Sequence, residues 1–380
     1  SANRHIGGGH FDFFSMGRKI LADPDLPKKI TAGQAGQVRP CIYCYCCASQ
    51  IYVRESLKCA VNPETGRERE RALVATDNAR YIAVVGGGPA GMEAARRLAL
   101  RGHRVTLLES GSRLGGTLQF AAIPYEPNQR LLQWLREQVE SSSVEVRLNT
   151  QATPWVLRTL GADEVVVATG ASRAMPDLPG NERDFVFSGD EMRALMLGDS
   201  HPQLRRKTSA FARALVGLGS RTGATANTSL VRLASRAWMP LGRRITIIGG
   251  ELVGLELAEY LAERGREVTV LEETDRPGKG LFLVRRMRLL AELPGLGVSL
   301  VKNATGLRIL DGQVAYINYR GQERTVAADH VIVATGASGD ATLADSLRKA
   351  GFTVHSVGDC NGVGYIEGAM EAAADLAVAL

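Results

Sequence analysis

Residues 81–110 read YIAVVGGGPAGMEAARRLALRGHRVTLLES, and residues 244–273 read RITIIGGELVGLELAEYLAERGREVTVLEE. Each starts as a β-branched strand, turns through glycines, continues as a helix with an apolar stripe, stops at Arg-Gly and closes in a strand ending in an acid. Gly86 and Gly249 open the two turns, and each is followed 23 residues later by a glutamate, Glu109 and Glu272. A single glycine-rich turn is weak evidence of nucleotide binding, but two complete strand–helix–strand units with one spacing are an internal duplication. A second echo follows each unit. Val165-Val166-Val167-Ala168-Thr169-Gly170 matches Val331-Ile332-Val333-Ala334-Thr335-Gly336, each a buried strand entering a sharp turn.

Parallel strands separated by helices imply an α/β fold of two Rossmann-like, doubly wound domains with ligands at the carboxyl ends of the strands. The last stretch, Val354–Leu380, holds Val357-Gly358-Asp359 and an alanine-rich helix. It is expected to return to the first domain, which makes the second an insert. The expected division is 1–35, 36–78, then 79–190 with 331–380, and 191–330 between them. Glu191–Pro240 reads as helical and irregular.

In the first loop Gly86 allows the tight turn, Gly88 lets backbone approach a pyrophosphate, and Gly91 lets the helix pack on the strand. The helix N-terminus offers free N–H groups and a partial positive charge to the phosphates. Glu109 is placed for ribose hydroxyls, and Gly115-Gly116 make a second glycine turn for a long cofactor. Asp359 either accepts from a ribitol hydroxyl or caps the helix that follows. The expected occupant is FAD. The second loop, Gly249-Gly250-Glu251-Leu252-Val253-Gly254, departs from the pattern, because Glu251 stands where the middle glycine belongs. Two readings stay open there. Either the domain keeps the fold without a nucleotide, or Gly249, Gly254 and Glu272 hold NAD(P)H. In the second case Glu272 and Glu273 disfavour a 2′-phosphate and favour NADH, while Arg276 and Lys279 leave room for NADPH.

Upstream stand Cys41, Cys44, Cys47 and Cys59, spaced C-x2-C-x2-C-x11-C. Five of the six cysteines fall within 19 residues, so they are not scattered core residues. Four soft ligands at close quarters suit a [4Fe–4S] cluster or a structural zinc. Zinc sites usually pair two knuckles, whereas here three cysteines cluster and one is remote, which favours iron–sulfur. Cys46, two residues from Cys44, has an awkward bite and reads as a bystander, and Cys360 as a small packed residue. No disulfides are expected. The cysteine spacing reads as metal binding in a reducing, cytoplasmic setting, and nothing at the N-terminus looks like a signal peptide.

The bulk composition narrows the class. The 380 residues are 45% hydrophobic and 23% charged, with a formal net charge of +6. No apolar run approaches the ~20 residues that span a bilayer. The short basic runs Arg205-Arg206-Lys207 and Arg285-Arg286 read as solvated faces. Neither nucleic acid nor a membrane is expected as a partner.

These motifs together resemble one family. Ser15-Met16-Gly17-Arg18, Leu21-Ala22-Asp23-Pro24-Asp25, the four cysteines, Cys59-Ala60-Val61-Asn62-Pro63, the Gly86 loop, the Ala-Thr-Gly turns and Gly358-Asp359-Cys360 are similar to the C-terminal part of the iron–sulfur flavoenzymes related to old yellow enzyme. That group includes 2,4-dienoyl-CoA reductase, enoate reductases and trimethylamine dehydrogenase, and the likeness runs from near residue 10 to the end. The resemblance implies a (β/α)8 barrel carrying FMN and the substrate site, with the Gly17-Arg18 turn by the FMN phosphate. A barrel takes about 250 residues, and only 40 precede Cys41. Phe11–Arg18 and the segment after it are expected to be the barrel's last strand and helix.

The resemblance further implies electron input from NAD(P)H through FAD and the cluster to FMN, for reduction of an activated C=C bond in an acyl-CoA or enoate. The implied partners are that small substrate and either a second copy of the chain or a separate chain bearing the barrel. The rival readings are an amine dehydrogenase with outward electron flow and a dead second site, and a non-enzymatic scaffold around zinc. No catalytic residue is assigned.

Overall fold

The structure is a computed structural model and describes residues 2–199, 201–221 and 227–380. The first repeat forms β1 (Tyr81–Val85), the helix Pro89–Leu100 and β2 (Arg104–Leu108), and β3 (Glu145–Arg147) and β4 (Glu164–Val167) follow. The chain crosses through β5 (Ala171–Ser172) to β6 (Val186–Ser188), and the second repeat forms β7 (Arg244–Ile248), the helix Leu252–Ala262 and β8 (Glu267–Glu272). β9 (Ser299–Lys302) precedes an antiparallel sheet of β10 (Thr305–Leu310), β11 (Gln313–Ile317) and β12 (Glu323–Ala327). β13 (His330–Val333) comes next, and β14 (Ser338–Gly339) pairs antiparallel with β5 on the way back to β15 (Val354–Ser356).

The two large sheets have the orders β15-β4-β1-β2-β3 and β6-β13-β7-β8-β9 and are parallel throughout. Their central strands are continuous apolar runs because helices cover both faces, leaving no wet side to alternate with. Ile82, Val84, Met92, Leu98, Met370 and Ala373 share one core, and Phe187, Ile245, Ile247, Leu255 and Tyr260 share another. No helix among the described residues is long and apolar enough to cross a membrane.

The chain therefore leaves the first sheet after β4, builds the second and returns, but the points of exchange differ from those expected. β6, expected within the first unit, pairs with β13 in the second sheet, and β13, expected in the returning segment, sits between β6 and β7. A parallel strand is placed by its neighbours' hydrogen bonds, and the apolar run Val-Ile-Val satisfies either sheet equally well. The crossing points are instead the β5–β14 pair. Phe11–Arg18 also differs from expectation. Residues 11–16 form no strand, and Gly17–Ala22 and Leu26–Thr31 are short helices. A strand needs a neighbouring strand to take its N–H and C=O groups, and among the described residues this segment pairs with none.

The cysteine segment is fastened to the first unit. Ile42, Cys59 and Val61 lie in the same core as β1. Arg39, just ahead of Cys41, reaches the Val61 carbonyl and the buried Glu93 of the helix Pro89–Leu100 (3.3 Å). Arg96 makes two further bonds to Glu93, at 2.8 and 2.9 Å, and both Arg39 and Arg96 stack on Trp134. Burial opposes the Glu93 charge, but Arg96, Arg39 and Arg97 outweigh it and hold its pKa at about 2. Its folded value lies below the ordinary 4.5, so the stabilisation is complete above that pH and is lost as pH falls toward 2. Glu93→Gln leaves buried guanidinium groups without their counter-charge and should lower stability at neutral pH by about 3–5 kcal/mol. Urea denaturation reads this directly, with the two proteins converging in stability as the pH is lowered.

Candidate functional site

The two glycine loops superimpose contact by contact. Gly86 and Gly249 both have φ of +107°, a conformation that favours glycine. A Cβ on either would stand 2.5 or 2.4 Å from the carbonyl oxygen of Ala168 or Ala334, the residue just after the adjoining strand. A Cβ on Gly91 or Gly254 would meet the Gly86 or Gly249 carbonyl at 1.9 or 2.0 Å. The Gly87 N–H donates to Glu109 Oε2 and the Gly250 N–H to Glu272 Oε2, both at 2.7 Å. The second oxygen of each carboxylate is held by backbone two residues on, from Gly111 (2.6 Å) and Thr274 (2.9 Å). Glu109 and Glu272 are thus oriented by the chain itself.

The loops part at one position. Gly88 has open space where its Cβ would be, and Gly116 of the second glycine turn lies against it, its own Cβ position 3.0 Å from the Gly88 Cα. In the second unit Glu251 takes the place of Gly88, and its Oε1 lies 3.2 Å from Lys279 Nζ. A cavity of about 600 Å³ opens here, lined among others by Glu251, Glu272, Arg276, Lys279 and Arg286. Asp359 Oδ1 accepts from the Gly364 N–H at 2.9 Å, just ahead of the helix Tyr365–Ala379, whose N-cap is Gly364. Burial raises its pKa against the pull of those backbone bonds and of Arg173.

Burial pushes the Cys44 thiol up to about 12, and Cys59, Cys41 and Cys47 add to the rise. Left-handed backbone at Tyr43 and Tyr45 curls the loop, and the Tyr43 N–H points at Cys41 Sγ, 3.4 Å away. The N–H groups of Cys46, Ala48 and of Val61 and Asn62 face Cys44, Cys47 and Cys59 respectively, each favouring a thiolate. Cys46 turns the other way, its Sγ 3.7 Å from Glu367 Oε1. Cys360 donates to the carbonyls of Val167 and Val357. Among the described residues no three or more His, Cys, Asp or Glu side chains are gathered to hold a metal ion.

Arg18 lies over the rings of Tyr43 and Tyr45, 5.1 and 4.6 Å from their centres. Burial works against its charge, but Tyr45, Cys41 and Cys47 outweigh it and raise its pKa. Among the described residues its buried Nη1 has no hydrogen-bond partner. The second unit also grips this loop. In the helix Leu283–Glu292, the Val284 N–H donates to Ser49 Oγ at 3.1 Å and Arg288 reaches the Tyr45 hydroxyl. Arg285 lies over Tyr125, whose hydroxyl donates to the Tyr43 carbonyl at 3.1 Å.

Residues 80–362 match the family described as pyridine nucleotide-disulphide oxidoreductase. The chain belongs to this family. Membership supports FAD and NAD(P)H as the two nucleotides, in accord with the twin loops. The chain is 30% identical over 375 residues to the NADH oxidase of Thermoanaerobacter brockii, covering 96% of this chain and 51% of that protein. It is also 30% identical to the cinnamate reductase of Clostridium sporogenes, covering 98% of this chain and 50% of that protein. A 2-naphthoyl-CoA reductase in complex with 2-naphthoyl-CoA superposes with a TM-score of 0.82 at 27% identity, over all of this chain and 52% of that one. The chain spans about half the length of the relatives it matches.

Sequence reasoning missed the partners that hold this oxidoreductase's sites. Lys279 is 28 residues from Glu251, and Arg39 is 54 from Glu93. No local spacing links either pair.

Proposed function

We propose that this chain is the electron-input portion of an iron–sulfur flavoprotein oxidoreductase that reduces an activated carbon–carbon double bond of enoyl-CoA or enoate type. The observation that supports this reading is that the segment carrying the four cysteines is fixed to the core and to the loop helix of the first unit. When bound, NAD(P)H, FAD and a [4Fe–4S] cluster would supply hydride and single-electron transfer, and FMN in a barrel outside this chain the substrate reduction.

The chain's own residues do the positioning. Cys41, Cys44, Cys47 and Cys59 would hold the cluster, with backbone N–H groups stabilising their negative charge. Gly86, Gly88, Gly91, Gly116 and Glu109 would cradle FAD, with Asp359 at the helix start beside it. Gly249, Gly254 and Glu272 would hold NAD(P)H. The unpartnered Nη1 of Arg18 and the open space beside Gly17 suit a phosphate such as that of FMN. The names of the cinnamate and naphthoyl-CoA reductases support the substrate class.

A second reading, electron outflow from an amine, is favoured by one observation, the carboxylate of Glu251 at the pyrophosphate position. Anaerobic titration of the flavin-loaded protein separates the two. Bleaching of the flavin absorbance by NADH or NADPH is the expected result. Flavin that stays oxidised with both nucleotides, yet bleaches with dithionite, would overturn the input reading.

A further inference from the structure

We propose that Glu251 and Lys279 form a latch across the phosphate position of the second site, and that a nucleotide enters by taking Lys279 away from Glu251. This rests on the reading of that site as one for a pyridine nucleotide.

The duplication defines the equivalence. Glu251 and Gly88 share the same extended backbone, with φ and ψ of −77° and −173° against −73° and −179°. Each begins a helix, and the carbonyl of each accepts from the residue four positions on, Leu255 at 3.0 Å and Met92 at 2.9 Å. The second glycine turn docks on both loops through one bond, from the Gly115 N–H to the Gly87 carbonyl and from the Gly278 N–H to the Gly250 carbonyl, both 2.7 Å. The next residue in these turns is Gly116 in one unit and Lys279 in the other. The two glycines that face each other across the flavin cradle are therefore replaced, in the second unit, by an acid and a base.

Their side chains pair at 3.2 Å. The carboxylate lies toward the interior, its Oε2 3.4 Å from the Cβ position of Gly336, while Lys279 is 81% exposed on the rim. The Lys279 carbonyl also accepts the Leu252 N–H at 2.9 Å, removing one of the free N–H groups that a helix start would offer a phosphate. What this cradle presents to a pyrophosphate is a lysine already engaged by a carboxylate. Arg276 and Arg286 line the same cavity and add attraction for an anion. A phosphate that draws Lys279 outward gains a cation and leaves Glu251 beside two like charges. The pair thus attracts and penalises at once, and it sets affinity through the phosphate rather than through the base.

The test is equilibrium binding of NADH and NADPH to the complete flavin-loaded chain, read by nucleotide fluorescence. Glu251→Gln keeps the shape and frees the lysine, and should tighten binding about tenfold, one 1.4 kcal/mol step. Lys279→Met should weaken it by about tenfold. The double variant should bind more tightly than Lys279→Met alone and less tightly than Glu251→Gln alone. Nucleotide binding that is unchanged in all three variants would overturn the latch while leaving the site's nucleotide reading in place. If neither nucleotide binds wild type or Glu251→Gln, and Glu251→Gly restores nothing, the nucleotide reading itself falls and the latch with it.

Discussion

Gly88→Glu should leave the chain folded and empty its flavin site. The structure separates these two outcomes. A Cβ at Gly88 meets no atom within 4 Å, and the backbone there has φ of −73°, which any residue adopts. The same loop in the second unit already carries glutamate at the matching position with nearly the same angles. The substitution therefore imposes no steric or conformational cost on the protein. Its cost falls on the ligand, because the side chain enters the space through which backbone meets the pyrophosphate and brings a negative charge against two others. No lysine stands opposite to soften this, since the facing residue is Gly116.

Wild-type protein should carry about one FAD per chain, and the variant close to none, with an unchanged far-ultraviolet circular dichroism spectrum. Gly91→Val is the contrast, because its Cβ would stand 1.9 Å from the Gly86 carbonyl oxygen and the loop itself must give way. A Gly88→Glu protein that keeps its FAD would show that the cofactor does not pass this loop. Extracted flavin that is only FMN would do the same.

Serine in place of Cys41, Cys44, Cys47 or Cys59 should abolish the proposed cluster, while serine at Cys46 should preserve it. Protein purified without oxygen should hold about four irons per chain, and each of the four variants close to none. Cys41 and Cys47 lie near enough to Cys44 and Cys59 to add to the rise in their pKa that burial begins, so negative charge on these sulfurs is opposed unless a cationic centre is shared among them. Cys46 is one residue from Cys47 yet directs its sulfur toward Glu367 and Lys58, and its pKa is pushed well up by burial and then by Glu367. Iron and sulfide analysis with the visible spectrum reads the outcome. Full iron in Cys47→Ser would overturn the ligand set. One zinc per chain in wild type, without sulfide, would replace the cluster by the zinc alternative.

Much of this was legible in the residues because the constraints are local. A chain that leaves a strand, turns within a few residues and enters a helix needs glycines at fixed offsets, as the contacts of Gly86 with Ala168 and of Gly91 with Gly86 show. A helix of set length then fixes the distance to the acid that closes the second strand, so Glu109 and Glu272 could be numbered from Gly86 and Gly249. The three-residue spacing of Cys41, Cys44 and Cys47 likewise lies within a single turn of chain. The strand expected at Phe11–Arg18 shows where local reading stops, since strand formation depends on a neighbouring strand, and none pairs with this segment among the described residues.

By itself the sequence determined the two strand–turn–helix units, their order, the glycine and acid positions in each, and the cysteine set. The tertiary structure alone decided which sheet β6 and β13 join, that Glu251 faces Lys279, and that the thiol loop is clasped by both units through Arg39–Glu93 and the helix Leu283–Glu292. The physical reason is the range of the forces that choose. Backbone geometry and short-range sterics act within about a dozen residues and leave a periodic trace in the chain. Ion pairing, sheet edges and shared cores act between residues brought together only by folding, and any of several charged or apolar residues would have matched the pattern equally well.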